Sequence, residues 1–577
     1  MDLHIFDRDC KEKCTPDKIN INWDGKELNS ILEDNKKELR SKYLNIINKV
    51  IKNNSLKFKY FRLNNLCLIK MSLINEKNPF KSNGIYNCLK LLALEKILQK
   101  NHINTIYYNG KDFDLNKSLE LLSANYGLIY KNKKIINIFF RFKIFEFLKG
   151  NIFFFTQLIK NFNLSKNTKN YSNNSIFSYF VHFTSIKNKK FQSNLWGDLP
   201  NYLNYKKKYI NWFHFYVPSN EVKNSKIANL IKKKFNLNNY ENHNFINSYM
   251  DLNDFLKSYK IFLIYFIKNL FKFNSNLIFF NNKYSKTNFC FFLKNDFNSS
   301  FFGSSLVYNI MNIQTFDNLL KKIPKQKHGL YIIENQSWEY CFIKLWRKYN
   351  HGKLTSYFNS SMRYWDLRYL KNENDFKIHD ENPDKYLINN YIVNSETKEF
   401  GYPMNKVYKT EALRYKKLKP IKKIKKNKKI LIVGDILFNE TVNLLDFINN
   451  TVDELKSYKF YLKPHPTMTI SSIKYLLKNY IFLKIVNINS NSFKNFEFII
   501  CSNGTSANLD CMIMKLNFCS IKTLNTLNLF PIEKFEKIFQ IENHKELVNR
   551  IKSSKKNYLI NFTKNKIKSK DFKTLFL

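Results

Sequence analysis

The chain has 577 residues, a formal charge of +50 and an apolar fraction of 44%. Its length predicts two or more domains, and its apolar content excludes a disordered chain. Lys is spread along the whole sequence, so the charge indicates a solvated surface with some attraction for anionic membranes or substrates, and no specific nucleic-acid partner.

The N-terminal residues carry no targeting or metal signal. Residues 1–9 lack a basic start followed by an apolar stretch, so no signal peptide is predicted. Cys10 and Cys14 form the one close cysteine pair, and no second pair or nearby His completes a zinc set. We therefore expect reduced thiols and a cytoplasmic protein, with peripheral attachment to the inner face of the plasma membrane as an option.

The first eighty residues are predicted to be a helical lead-in. Apolar residues follow helical spacing over Leu28–Ile51. Ile85–Lys100 is a second predicted helix, and a short strand at Thr105–Tyr108 and a Gly turn come after it. The succession of a strand, a turn and a further helix predicts a Rossmann-like domain, which we place at residues 81–415 with insertions.

Ile135–Ile159 raises the question of a membrane segment. It is very apolar, but Arg141, Lys143, Glu146 and Lys149 interrupt it. A membrane-spanning helix needs about 20 residues with few or no charges, so this stretch is not predicted to span. A partly buried helix is our interpretation, and an amphipathic segment on a membrane surface is the alternative.

The middle of the chain alternates strands and helices. A strand over Gly329–Glu334 ends in a carboxylate, and an amphipathic helix follows at Gln336–Tyr349. The next strand, Gly352–Phe358, ends in Asn359. Residues 416–429 are a dense basic run containing Pro420, which we interpret as a solvated linker between domains.

After this linker the alternation is regular up to residue 550, and a Lys-rich tail occupies residues 551–577. Short connections between strands and helices predict a parallel, doubly wound sheet. The predicted strands are Ile430–Val433, Phe460–Leu462, Phe482–Val486, Phe498–Ile500 and Phe518–Ile521.

Two loops in this last domain suit a phosphate group. The first, Lys463–Pro466 (KPHP), follows a predicted strand; the second, Ser502–Ser506 (SNGTS), follows another strand and opens a helix. Free N–H groups, hydroxyls and the positive end of a helix dipole bind phosphate, and α/β sheets bind ligands at this edge. For Ser502 and Asn503, shaping of the turn is the alternative role. The candidate donor-binding residues are Gly434, Lys463, His465, Ser502, Asn503, Gly504, Thr505 and Ser506.

The KPHP and SNGTSA motifs resemble those in the nucleotide-binding domain of GT-B glycosyltransferases. Similar motifs occur in bacterial sialyltransferases, capsule Kdo transferases and CDP-glycerol glycerophosphotransferases. The segments IIENQSWEYCFIKLWRKYNHGK, MRYWDLRYL, GYPMNKV and TEALRY resemble bacterial surface carbohydrate (O-antigen-type) biosynthesis proteins. These islands of similarity extend from Ser82 to Pro531.

The resemblance implies a GT-B architecture, in which two Rossmann-like domains face each other across a cleft. It implies a metal-independent transferase with no cofactor, whose donor is a nucleotide sugar. The acceptor would be a lipid-linked or polysaccharide chain of a bacterial surface glycan, extended on the cytoplasmic side. His465, Thr505 and Ser506 would then contact the leaving phosphate.

A general base is also required for transfer to a hydroxyl. Glu334 is the first candidate, from its position at a strand end and from its similarity to acidic residues in sialyltransferase-like enzymes. Asp366 is its rival, and a salt bridge is the alternative role for each. Related transferases often carry His where this chain has Asn359. Weaker candidates for the base are Glu339 and Glu411, and the candidate acceptor-binding residues are Asn359, Arg363, Arg368 and Glu411.

Two other functions remain open. A CDP-glycerol-type polyol-phosphate transferase would usually show a second His-Gly pair, for which His351-Gly352 is the candidate. A non-catalytic basic protein with a GT-B-like fold, binding membranes or nucleic acid, is the third reading. Asp7-Arg8-Asp9 lies in the lead-in, so it is not interpreted as a metal motif.

Overall fold

The computed structural model describes residues 1–7, 18–57, 62–132, 140–167, 171–180, 191–219, 222–272, 280, 285–371, 375–376, 378–389, 398–410, 412–421, 426–466, 468–523, 526–532 and 535–553. The pair Cys10 and Cys14, residue Glu411 and residues 554–577 of the predicted tail lie outside these ranges.

The strands are numbered in chain order. They are β1 Asp2–Phe6, β2 Lys18–Asn22, β3 Arg62–Leu63, β4 Leu66–Cys67, β5 Thr105–Asn109, β6 Ile129–Asn132, β7 Asn174–Tyr179, β8 Ile210–Phe215, β9 Glu241–Phe245, β10 His328–Ile332, β11 Lys353–Phe358, β12 Lys385–Asn389, β13 Val407–Thr410, β14 Lys429–Val433, β15 Lys459–Lys463, β16 Leu483–Ile485, β17 Phe498–Ser502, β18 Phe518–Ile521 and β19 Gln540–Ile541.

The helices are numbered in the same way. They are α1 Lys26–Asp34, α2 Lys36–Lys57, α3 Leu73–Glu76, α4 Gly84–Lys100, α5 Phe113–Tyr126, α6 Phe140–Asn161, α7 Leu199–Tyr205, α8 Ser225–Phe235, α9 Leu252–Lys272, α10 Lys294–Phe302, α11 Ser304–Lys322, α12 Ser337–Lys348, α13 Phe438–Asn449, α14 Ile470–Asn479, α15 Ala507–Met514, α16 Glu536–Phe539 and α17 His544–Ser553.

The α/β fold predicted from the sequence is confirmed. The six-stranded sheet has the order β16-β15-β14-β17-β18-β19, and every pairing in it is parallel. The seven-stranded sheet has the order β13-β12-β11-β10-β7-β8-β9. In both sheets the first three strands lie on one side of a switch point and the later strands on the other, which is the Rossmann arrangement.

The first eighty residues contain helices α1 and α2 where helical spacing predicts them, and they also contain strands. The strand β1 pairs in parallel with β2 and β5 in a four-stranded sheet of order β2-β1-β5-β6. The expected lead-in therefore begins with a strand at Asp2–Phe6 instead of a helix. Alternating exposure along β1, in which Leu3 and Ile5 are buried, is the physical reason.

The apolar runs of the six-stranded sheet are buried on both faces. Along β14, Leu431 and Val433 belong to one hydrophobic cluster, whereas Ile430 and Ile432 belong to another. Helices cover both faces, as expected for a parallel sheet whose strands are continuous apolar runs. This packing fixes the carboxyl edge of the sheet, where the loops after β14, β15 and β17 begin.

The chain folds into two compact units. The N-terminal unit comprises Met1–Ser193, Pro200–Ser356 and Leu370–Lys385, and the C-terminal unit comprises Asn194–Leu199, Tyr357–Tyr369 and Tyr386–Leu577. These units cut across the predicted boundary at residue 415. The basic segment at 416–429 is also more than a solvated linker, because Leu418 and Ile421 pack against the apolar core of the C-terminal unit.

Candidate functional site

The C-terminal candidate site lies at the switch point between β14 and β17. Parallel strands end at the same edge of the sheet, so the loops after these two central strands begin on either side of the switch point, where such sheets bind ligands. Gly434-Asp435 follows β14, and the loop Asn503–Ser506 follows β17. The sequence places its predicted phosphate loop at the position where such sheets bind nucleotides.

Asp435 connects the two loops. Its side chain is buried, and Ser502 Oγ donates a hydrogen bond of 2.6 Å to Asp435 Oδ2. The backbone N–H of Asp435 donates to Thr441 Oγ1 at 2.9 Å. A Cβ at Gly504 would lie 2.7 Å from Asp435 Oδ2, so the loop comes this close to the carboxylate because residue 504 is glycine.

Side-chain hydrogen bonds hold the loop after β17 in place. Asn508 Nδ2 donates to the carbonyls of Ser502 at 2.9 Å and Thr505 at 3.1 Å. The Asn503 side chain donates to Leu527 O at 3.1 Å and accepts from Gln540 Nε2 at 2.8 Å. These contacts fit the turn-shaping alternative for Asn503, and the bond to Asp435 does the same for Ser502.

Two cations lie at the N-terminal end of α15. Arg414 Nη2 donates to Ser506 Oγ at 3.2 Å. Burial lowers the pKa of Lys463, the last residue of β15, and the nearby Asp510 acts in the opposite direction. Burial raises the pKa of Asp510, while Arg414, Ser490 and Lys463 act against that rise. The three charged groups therefore interact, and the cations outnumber the carboxylate.

Backbone donors complete this arrangement. In the described part of the chain, the N–H groups of Gly504 and Ser506 donate to no oxygen atom, whereas that of Thr505 donates to Ser502 O at 3.3 Å. Thr505 Oγ1 accepts from the N–H of Ala507 at 3.3 Å. An anion at the start of α15 would meet N–H groups, the helix dipole and two cationic side chains.

Gly434 and His465 lie on the neighbouring strand ends. The N–H of Gly434 donates to Lys463 O at 3.1 Å, so the ends of β14 and β15 are joined. His465 is half-buried in the loop after β15, and its carbonyl accepts from the N–H of Met468 at 3.0 Å. The predicted contact between the His465 side chain and phosphate stays a prediction.

The segment 359–368 also belongs to the C-terminal unit. Both oxygens of the buried Asp366 carboxylate accept from Arg368, at 2.8 and 2.6 Å. Burial lowers the pKa of Arg363, and the charges of Asp366 and Asp435 oppose this. The paired carboxylate of Asp366 favours the salt-bridge role over proton transfer, and Arg363 is electrostatically linked to the candidate site through Asp435.

Asn359 and Ser361 each carry a buried side-chain oxygen near Arg363 and Asp366 in sequence. Asn359 Oδ1 and Ser361 Oγ are buried and have no hydrogen-bond partner among the described residues. Buried polar groups are ordinarily bonded, so each exception calls for an explanation such as a bound substrate. Substrate binding by Asn359 stays a prediction, at a position that departs from the His of related transferases.

A second candidate site lies at the switch point of the seven-stranded sheet, between β7 and β10. Glu334 follows β10, and its Oε2 accepts from the hydroxyl of Tyr179, the last residue of β7, at 3.4 Å. Gln336 Nε2 donates to the same carboxylate oxygen. Glu334 therefore lies at the carboxyl edge, as the sequence predicts, with two neutral donors on its carboxylate.

Glu339 holds the loop that carries Glu334. Its Oε1 accepts from the N–H groups of Glu334 at 2.8 Å and Gln336 at 2.9 Å. Burial raises the pKa of Glu339 to about 8, and those two N–H bonds act against the rise. Glu339 is a weaker candidate for the base. Its bonds to the backbone of Glu334 and Gln336 give it a positioning role.

A cavity of about 640 Å³ adjoins this loop within the N-terminal unit. Gln336 and Glu339 line it together with Lys77 and Lys371. Lys77 is buried, its Nζ donates to Leu370 O at 3.0 Å, and burial lowers its pKa to about 8. The cavity has room for a sugar-sized ligand, and both basic and acidic side chains line it.

His351 has a structural role. Its Nδ1 accepts from the N–H of Gln326 at 3.1 Å, and its Nε2 lies 3.0 Å from Leu320 O. Both ring nitrogens are therefore used within the fold, and the His351-Gly352 pair lends no support to polyol-phosphate transfer. Within the described residues, no group of three or more His, Cys, Asp or Glu is arranged to hold a metal ion.

The sequence interpretation missed Asp435 and Arg414 as site residues, and the structure does not describe Glu411. Asp435 directly follows the predicted turn glycine Gly434, and Arg414 belongs to the TEALRY segment, so each had a local signal. A search for polar residues directly after the ends of predicted strands would have identified Asp435.

No family model matches this sequence, and no curated protein matches it. Among solved structures, a mutant of S. aureus TarM in complex with UDP shares 10% identity at a TM-score of 0.29; the alignment covers 41% of this chain and 51% of that one. Another TarM structure shares 10% identity at 0.35, covering 66% and 91% of the two chains. The glycotransferase of kitacinnamycin shares 8% at 0.36, covering 66% and 90%.

Proposed function

We propose that the chain is a GT-B-type glycosyltransferase that uses a nucleotide-activated sugar to extend a bacterial surface polysaccharide. One observation carries the proposal. The loop Asn503–Ser506, with Arg414 and Lys463 beside it, lies at the switch point of a sheet with Rossmann strand order. That position and charge suit the phosphates of a nucleotide sugar.

In the proposed reaction, the bond between the sugar anomeric carbon and the phosphate oxygen breaks, and the acceptor oxygen bonds to that carbon. The leaving nucleotide takes the bonding electrons, so negative charge develops on its phosphate. Arg414, Lys463 and the N–H groups at the start of α15 would stabilise this charge, with His465 as a further donor. No metal or cofactor enters the proposal.

The acceptor hydroxyl must lose its proton as its oxygen attacks. Glu334 is the proposed base, because it follows β10 at the switch point of its sheet and its carboxylate is not engaged by a cation in the described contacts. The adjoining cavity would take part of a lipid-linked or polysaccharide acceptor, and Lys77 and Lys371 would suit acidic groups on it. We also propose that the transfer takes place on the cytoplasmic side.

A thermal-shift panel of CMP-, UDP-, GDP- and CDP-linked sugars tests this function. We expect one nucleotide to raise the melting temperature, and we expect His465→Ala and Thr505→Ala to lose that shift. Glu334→Gln should keep the shift and lose transfer. His102→Ala is the matched control, because His102 is an exposed histidine of the N-terminal unit.

A shift that His102→Ala removes as fully as His465→Ala would contradict the assignment of the donor site. Absence of any shift with all four classes would contradict the enzyme function. Steeply salt-dependent DNA binding in its place would favour the basic binding protein.

A further inference from the structure

Two neighbouring helices of the N-terminal unit expose a continuous apolar surface. Eleven of the 26 large apolar side chains that are exposed in the described chain lie on α6 and α9. On each helix they recur at helical spacing and form one stripe. The stripe residues are Ile144, Phe145, Leu148, Ile152, Phe155 and Ile159 on α6, and Leu252, Leu256, Ile264, Ile267 and Phe271 on α9.

The two stripes lie side by side because α6 and α9 pack against each other in antiparallel directions. Phe147 near the start of α6 stacks on Phe266 near the end of α9, with ring centroids 4.1 Å apart. Further along α6, Phe154 and Phe155 lie 4.8 and 5.9 Å from the ring of Tyr259. Phe155 is half exposed, so the stripe of α6 continues across this contact onto α9.

The opposite faces of both helices are buried in the fold. Both α6 and α9 contact α10 and α11, and Phe154 and Phe262 are buried on that side. The exposed stripes are therefore outside the core, and an exposed apolar surface of this extent usually marks an interaction site.

The charge of the residues around this surface indicates what kind of partner it binds. The sequences of α6 and α9 contain eight cationic and two acidic residues. Glu146 pairs with Lys149, and Asp254 accepts from the amides of Gln314 and Asn318, so both carboxylates are engaged. Exposed lysines that border or interrupt the stripes include Lys257, Lys260 and Lys268. A surface of apolar stripes bordered by Lys is complementary to an anionic lipid bilayer.

We propose that the face formed by α6 and α9 binds the surface of an anionic membrane. The apolar side chains would enter the boundary between headgroups and acyl chains, and the lysines would contact anionic headgroups. The helices would lie on the membrane, since no helix in the described residues is long and apolar enough to cross it. This surface shares no residue with the proposed donor site, so the inference does not rest on the proposed function.

Vesicle flotation of the full chain tests the inference. The protein should float with vesicles of phosphatidylcholine and phosphatidylglycerol, bind phosphatidylcholine vesicles less, and release at high salt. Ile152→Ser combined with Ile267→Ser should weaken binding at least about tenfold, because two apolar side chains no longer enter the bilayer. Lys260→Ser combined with Lys268→Ser should reduce the preference for the anionic vesicles.

The matched control is Ile470→Ser combined with Ile481→Ser, which removes two comparably exposed apolar side chains from the C-terminal unit. It should retain wild-type binding, and all variants should retain the wild-type melting temperature and nucleotide response. Equal loss in this control, or no flotation of the wild type, would overturn the proposal. If Ile152→Ser with Ile267→Ser instead converts a dimer to a monomer in light scattering, without vesicle binding, the occupant is a second copy of the chain.

Discussion

Asp435 is the residue that organises the C-terminal candidate site. Its carboxylate binds Ser502 Oγ and its backbone N–H binds Thr441 Oγ1, so it joins the loops after β14 and β17 to α13. A buried carboxylate beside an anion site would oppose binding unless cations offset it. Arg363 is one such cation, and Arg414 and Lys463 supply positive charge at the start of α15.

Glu440 lies in the first turn of α13, and its titration tests the effect of the Asp435 charge on this part of the fold. Burial, and then the charge of Asp435, raise the pKa of Glu440 to about 7. The folded state therefore holds a proton that the unfolded state releases near pH 4, so the free energy of unfolding should fall as pH rises towards 8. We expect Glu440→Gln to remove up to about 3 kcal/mol of this fall, measured by urea unfolding across pH.

Glu454→Gln is the control, because that side chain is exposed and should leave the wild-type pH dependence unchanged. If wild type and Glu440→Gln show parallel curves between pH 5 and 8, Glu440 is not protonated in the folded state at neutral pH.

At this scale, local sequence signals predict the loop but not its partners. The run from Ser502 to Ser506 predicts a turn of the kind that binds phosphate, because Gly and hydroxyl residues stand between a strand and the start of a helix. The contact between Ser502 and Asp435 spans 67 residues. Which loop meets it depends on the order of strands in the sheet, and a local pattern does not contain that order.

At the scale of elements, β9 shows how a polar segment becomes a buried strand. The sequence of β9, Glu-Asn-His-Asn-Phe, lacks the apolar run that predicts strands elsewhere, yet all its residues are buried. Asn242 Nδ2 donates to Asn211 Oδ1 on β8 at 3.3 Å, and Asn244 Nδ2 donates to Asn242 Oδ1 at 3.2 Å. The side-chain amides hydrogen-bond to one another, so their polar groups are satisfied although they are buried. Hydrophobic periodicity cannot predict a buried strand of this kind.

Asn211 is central to this network, and its replacement should be costly. Its Nδ2 donates to Ser172 O at 2.8 Å and its Oδ1 accepts from the N–H of Ser172 at 3.0 Å. Asn211 Nδ2 also lies 3.2 Å from the buried Gln326 Oε1. Asn211→Ala would leave these buried and half-buried partners without their bonds, so we expect the free energy of unfolding to fall by about 2–3 kcal/mol in urea titration.

Asn239→Ala replaces an exposed asparagine two residues before β9 and should change stability by less than about 0.5 kcal/mol. Equal stability of Asn211→Ala and Asn239→Ala would show that the amide network does not stabilise β9. Strands with apolar runs, such as Ile430–Val433 and Phe498–Ile500, are by contrast predicted directly, because burial on both faces requires them to be apolar throughout.

At the scale of the whole molecule, the two large sheets repeat one strand order. In each, three strands lie on one side of the switch point and the remaining strands on the other. The sequence predicts this α/β architecture because its strands and helices alternate. The extra four-stranded sheet of β1, β2, β5 and β6 was not predicted, since β1 must pair with strands up to about a hundred residues away.

Both switch points carry the residues that the sequence singles out for chemistry. Glu334 lies at that of the seven-stranded sheet, and the loop Asn503–Ser506 lies at that of the six-stranded sheet. The apolar face of α6 and α9 is built from other elements, so the proposed membrane binding and the proposed donor binding can be tested separately.

The start of α15, with Arg414 and Lys463, is proposed to bind the phosphates of a nucleotide sugar. The most direct measurement is calorimetric titration of the full chain with the nucleotide that the thermal-shift panel selects, and with its parent nucleoside. Arg414→Ala and Lys463→Ala should each raise the Kd for the nucleotide at least about tenfold, because a charge-assisted hydrogen bond is lost. They should leave the weak nucleoside affinity unchanged.

Lys459→Ala, which removes an exposed lysine from the first position of the same strand β15, should bind as the wild type does. A nucleotide Kd that is unchanged in both Arg414→Ala and Lys463→Ala, or that rises equally in Lys459→Ala, would contradict this site.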